Sequence, residues 1–123
     1  MLPDQPSVNV MLAEPMEVQI EALPEAAVVH IKGECAITLQ PLEASFLRLS
    51  AQRPKLVVLD LAGVTFISSL GMGAMLGFRR GLALHGGEVR LASVQPLVLE
   101  AFRRAHLHDV FTFFPTVPEA CAL

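Results

Sequence analysis

Leu56-Val57-Val58-Leu59-Asp60-Leu61 is an apolar run broken by a single carboxylate. A few residues on, the chain reads Thr65-Phe66-Ile67-Ser68-Ser69-Leu70-Gly71-Met72-Gly73-Ala74-Met75-Leu76. The first run lacks the alternation of a half-exposed strand, so it reads as a central strand covered on both faces. The second, with serines before a segment rich in apolar residues and glycine, reads as the start of a helix spanning Leu70 to about His85. Gly86-Gly87 ends it. A serine at a helix start can accept a hydrogen bond from a free backbone N–H. Capping accounts for one serine and leaves the other open to modification or contact.

Outward from this unit, strands and helices alternate. Met16, Val18, Ile20 and Ala22 alternate with Glu17, Gln19 and Glu21, a strand with one polar face. Pro24-Glu25 turns the chain into a second strand from Ala26 to Lys32, which closes at Gly33-Glu34; the two form a hairpin. Pro41 suits the first turn of a helix whose stripe is Leu42, Phe46 and Leu49, stopped by Pro54. Glu88–Ala92 is a fourth strand. Ser93 is placed to cap a third helix through Ala105, with Val98 and Phe102 on its apolar face. Phe111–Phe114 is a fifth strand, and Thr116-Val117-Pro118-Glu119 has capping-box spacing for a short last helix. The expected order is β-β-α-β-α-β-α-β-α, an α/β fold with a mixed sheet. Residues 1–15, with three prolines, read as an extended arm and residues 16–123 as one domain.

Composition narrows the function. Of the 123 residues 53% are hydrophobic and 17% charged, which fits a packed core rather than disorder, and the net charge of −3 offers nucleic acid no attraction. No stretch is long enough to cross a bilayer, and the first residues lack the pattern of a signal peptide. Cys35 and Cys121 are too far apart and too few for a disulfide framework or a zinc site, so a reducing, cytoplasmic setting is expected. His106-Leu107-His108 has no Cys or carboxylate cluster beside it, and the expectation is no metal and no cofactor. His30 reads as a strand residue without a catalytic task. Gly71 and Gly73 lack the lysine of a phosphate loop and the third glycine of a dinucleotide fingerprint, and Ser69 lacks the G-x-S-x-G frame of a hydrolase. No enzymatic activity is expected.

At roughly 100° per residue, Leu70, Ala74, Phe78 and Leu82 share one side of the second helix, with Met75 nearby. Met72 and Leu76 fall on another side, which suits either a second packed neighbour or an exposed docking patch. Gly73, Gly77 and Gly81 recur at every fourth position.

Leu56 to Leu76 resembles the STAS domain of bacterial anti-sigma factor antagonists, in which an apolar strand leads into a D-S-S-G-L-G-like or D-S/T-x-G-like segment at a helix start. The hairpin, Gly33-Glu34, Gly86-Gly87 and Phe113-Phe114-Pro115-Thr116 match as well, so the likeness runs over residues 16–123. The resemblance implies a mixed sheet with helices packed on one side. It further implies docking on an anti-sigma factor that is also a serine kinase, release on phosphorylation, and restoration by a serine phosphatase. Matched by position, the phospho-acceptor is Ser69, with Ser68 as an alternative. The docking surface is Gly33, Glu34, Cys35, Ala36, Ser68, Ser69, Leu70, Gly71 and Met72. Two departures stand out: Ser68 occupies a position that is usually Asp, and Ala36 ends a stretch that often reads G-E-L-D. They favour a second reading, a structural adaptor beside a lipid-transport ABC-type ATPase or in a signalling scaffold, without a phosphorylation cycle. Whether the chain forms a homodimer is left open.

Overall fold

The computed structural model describes residues 16–122; the expected arm over residues 1–15 lies outside them. Among the described residues nine elements follow in the expected order. They are β1 (Glu17–Ala22), β2 (Ala27–Cys35), α1 (Gln40–Gln52), β3 (Leu56–Ile67), α2 (Ser69–Ala83), β4 (Glu88–Ala92), α3 (Pro96–Arg104), β5 (Thr112–Phe114) and α4 (Val117–Cys121). The five strands form one sheet in the order β1-β2-β3-β4-β5, antiparallel between β1 and β2 and parallel thereafter.

Side-chain alternation gives the sheet two faces. Val29, Ile31, Val57, Leu59, Leu61, Val89 and Leu91 point into the main core, which α1, α2 and α3 cover. Leu42, Phe46 and Leu49 of α1 and Met72, Met75, Phe78 and Leu82 of α2 fill it, and the Phe46 and Phe78 rings stack at 4.2 Å. Phe102 of α3 is fully buried and meets the edges of Phe111 and Phe113, each at 5.6 Å. Val28, Val58 and Ala92 point the other way. They too are apolar and need cover, and α4 supplies it through Ala120. The expected one-sided packing therefore describes α1 to α3, while the short α4 sits on the opposite face. Arg90 ties α4 down by donating to Ala120 O at 2.8 Å and Ala122 O at 2.7 Å, while Glu88 holds its guanidinium.

Most boundaries fall within two residues of the sequence expectation, and three differ in ways that matter for the site and the sheet. β2 runs to Cys35 and β3 to Ile67, because the pairing of these strands continues through two register shifts, His30/Lys32 and Gly33/Glu34. The extra residues on β3 break its alternation, so Leu61, Val64 and Ile67 all turn inward. Ser93 is not a helix cap. It takes a left-handed conformation (φ 58) and donates its hydroxyl to Pro115 O, and α3 starts three residues later at Pro96. Thr116 does cap α4, accepting from Glu119 N–H at 3.2 Å.

Candidate functional site

The end of β2 and the β3–α2 junction meet at the carboxyl end of the sheet. β2–β3 pairing carries Glu34 beside Phe66 and Cys35 beside Ile67. The chain then breaks from strand to helix at Ser68, whose backbone is extended (φ −96, ψ 173). All of its polar groups are in use. The N–H donates to Cys35 O at 2.9 Å, and the hydroxyl donates to Ala36 O at 2.7 Å while accepting from Gly71 N–H at 3.2 Å. Ser68 is thus the N-cap of α2 and a latch between α2 and the loop after β2.

Glycine makes the latch short enough. A side chain at Gly71 would put its first carbon 2.7 Å from Cys35 O, closer than any real contact. Gly33, buried and at φ 96, takes the left-handed turn that lets β2 continue past the bulge.

Ser69 is the first residue of α2 and is exposed, and among the described residues its hydroxyl has no hydrogen-bond partner. The segments that meet at this end of the sheet leave large apolar side chains in solvent, an apolar collar: Ile37 at 83% exposure, Leu70 at 63% and Phe66 at 50%. Glu34 and Ala36 are half-buried beside them. No acidic residue lies in the first turn of α2, so the positive end of the helix faces this collar without a carboxylate of its own turn.

The expected docking residues divide on this geometry. The structure brings Gly33–Ala36 together with Ser68–Gly71. Met72 is a correction: its side chain is buried with Met75 and Phe78, because the close seat of Gly71 on β2 turns that side of α2 to the sheet. Leu70, which shares a helical side with Phe78 and Leu82 and belongs to the expected docking surface, is turned outward at the first turn. The Cys35 side chain is fully buried, and burial pushes its thiol up to about 11, which keeps it protonated and unreactive. Ile37 and Phe66 were missed. Phe66 lies on the side of β3 opposite the buried Ile67, and Ile37 carries no local signal apart from following Ala36.

Among the described residues no three His, Cys, Asp or Glu side chains converge so as to hold a metal ion, and no helix is long and apolar enough to cross a membrane. His106 is exposed where the chain leaves α3, in the left-handed region at φ 59.

A family model described as the STAS domain matches residues 17–120. This chain belongs to the STAS domain family. Solved structures bear the fold out. An anti-sigma factor antagonist from Mycobacterium paratuberculosis superimposes with a TM-score of 0.78 at 23% identity, covering 86% of this chain and 91% of that one. The Bacillus cell fate determinant SpoIIAA in its phosphorylated form gives 0.67 at 22% identity, over 85% and 96%. A sulfate transporter family protein from Wolinella succinogenes gives 0.69 at 17% identity, over 82% and 85%. At these identities the likeness is one of fold. The STAS fold thus occurs both in an anti-sigma factor antagonist and in a sulfate transporter family protein, and the latch at Ser68 and the apolar collar are features of this chain's own residues.

Proposed function

We propose that this STAS domain is a regulatory docking module of the anti-sigma factor antagonist kind, without a catalytic step of its own. In this reading it works in the bacterial cytoplasm and binds an anti-sigma factor that is also a serine kinase. Contact runs through the apolar collar of Ile37, Phe66 and Leu70 and the loop Gly33–Ala36. The kinase transfers the γ-phosphoryl group of ATP to the Ser69 hydroxyl, whose proton is lost, and ADP leaves. The phosphate adds bulk and about two negative charges at the centre of an apolar contact, so the partner is expelled, and a serine phosphatase restores the hydroxyl. The start of α2 accommodates the anion without loss of fold. One observation carries the reading: Ser69 is exposed and unbonded next to the exposed Leu70, at the end of the sheet that bears the apolar collar, whereas Ser68 is consumed by the latch. That same contrast favours Ser69 over Ser68 as acceptor.

A second reading keeps the collar and drops the cycle. Ala36 and Ser68 supply no carboxylate at positions where the family often has one, and the fold is shared with a protein of the sulfate transporter family. An adaptor seated on a membrane transporter's ATPase would use the same apolar face constitutively.

Intact mass of the protein purified with its partners, before and after adding ATP, separates the two. A single phosphoryl gain that disappears in Ser69→Ala, with release of a co-purified kinase, supports the switch. A stable partner with no gain in mass supports the adaptor. Ser69→Asp should weaken the kinase complex at least about tenfold with the fold unchanged, about 1.4 kcal/mol in binding.

A further inference from the structure

The face of the sheet opposite α1–α3 is covered by α4 only in part. Beyond it, across β1, β2 and β3, lies a polar cleft of about 160 Å³ with His30 in its wall. The His30 Nε2 atom is 2.8 Å from Glu21 Oε1 on β1, and its Nδ1 is 2.6 Å from Asp60 Oδ2 on β3. The other Asp60 oxygen accepts from Ala62 N–H at 3.0 Å, in the segment of β3 where the register shifts. One imidazole thus bridges three adjacent strands.

We propose that His30 is a proton-sensitive clasp that seats the edge strand β1 on the sheet when protonated and loosens it when the proton leaves. The warrant is donor counting. Ionised carboxylates only accept hydrogen bonds, so holding both requires a hydrogen on each ring nitrogen. A neutral ring has one, and its remaining lone pair would face an anion at under 3 Å. The Asp60 side chain is 18% exposed and its bond is the shorter, whereas Glu21 is 55% exposed. The single remaining hydrogen therefore stays on Nδ1, and Glu21 is released.

Apart from Glu34 at the far end of β2, the other charges on this face are already engaged. Glu17 of β1 pairs with Lys32 of β2 at 3.7 Å, Arg90 of β4 is held by Glu88 and the carbonyls of α4, and Glu119 of α4 accepts from Thr116. The hydrogen bond from Glu21 raises the His30 pKa above its ordinary 6.5, burial opposes this, and Asp60 adds to the rise. A raised native value means that the clasp's contribution is complete below about pH 6.5, the value in an unfolded chain. It is lost as pH climbs through the native value. The strand that carries His30 also leads into Gly33–Ala36, but the clasp can be tested with no partner present.

The test is an NMR titration of the His30 ring combined with amide exchange of β1, expressed as protection corrected for the intrinsic rate, between pH 5.5 and 8.5. The expected result is a His30 midpoint above 6.5 and a several-fold loss of β1 protection through that midpoint. His30→Gln should flatten the loss, and Glu21→Gln should lower the midpoint. Constant β1 protection through the His30 titration would overturn the proposal. So would an equal loss in His30→Gln, or a midpoint unmoved in Glu21→Gln. If His30→Gln folds poorly, the wild-type titration and Glu21→Gln decide the matter, since Glu21 is exposed and its loss removes no core contact.

Discussion

Two strand-to-helix junctions in this protein begin with the same residue type and use it in opposite ways. After β3, Ser68 is extended, caps α2 and bonds backward to the loop after β2. After β4, Ser93 is left-handed, caps nothing, and bonds forward to the end of β5 through its N–H to Phe114 O and its hydroxyl to Pro115 O. Proline and glycine decide between these uses. Pro96 fixes the first turn of α3 and makes Gln95 its N-cap, without a side-chain bond, so Ser93 is too early to cap. At the other junction Gly71 lets α2 begin at once, pressed against β2. The first junction holds the loop after β2 in place, and the second ties β4 to the end of β5.

That contrast can be broken from either side. The largest effect is expected at the second junction's anchor. Phe102→Ala empties a fully buried site between Phe111 and Phe113 and should cost about 3–5 kcal/mol in a denaturant titration. At the first junction, Gly71→Ala should cost roughly 1–3 kcal/mol, since the new methyl group meets a backbone carbonyl that cannot swing aside. Ser68→Ala loses the cap and leaves Ala36 O without its donor. A destabilisation of about 1–2 kcal/mol is expected, with faster amide exchange in the first turn of α2. Ser93→Gly is the sharpest comparison because its effect should be smallest. Glycine relieves the left-handed strain but gains chain entropy when unfolded, and the two nearly cancel, leaving a change within about 0.5 kcal/mol. A cost at Ser93 as large as that at Ser68 would mean that the hydroxyl bond to Pro115 O matters as much as the cap.

Local signals made most of the fold legible in the sequence. The alternation of β1, the proline that opens α1 and the Gly86-Gly87 stop read directly, and the bounds of β4 were met residue for residue. The candidate site was legible in outline, because Ser68–Gly71 and Gly33–Ala36 were both singled out. Its details depend on long-range geometry. The bond from Ser68 to Ala36 O spans 32 residues. The bulges that turn Val64 inward arise from how β3 lies along β2, and no period within β3 announces them. A helical wheel gives the spacing of α2 but not its phase, which the seat of Gly71 on Cys35 O sets; hence Met72, expected at the docking surface, is buried while Leu70 is exposed. His30 looked like an ordinary strand residue because Glu21 and Asp60 reach it only across neighbouring strands.

The strand order, which repeats the chain order, has a consequence for synthesis on the ribosome. Each new strand finds its neighbour already made, starting from a hairpin closed by four residues, so the sheet can lengthen by one unit at a time as the chain emerges. No strand has to wait, unpaired and prone to aggregate, for a partner still to be translated, and the last strand to join is the shortest, at three residues.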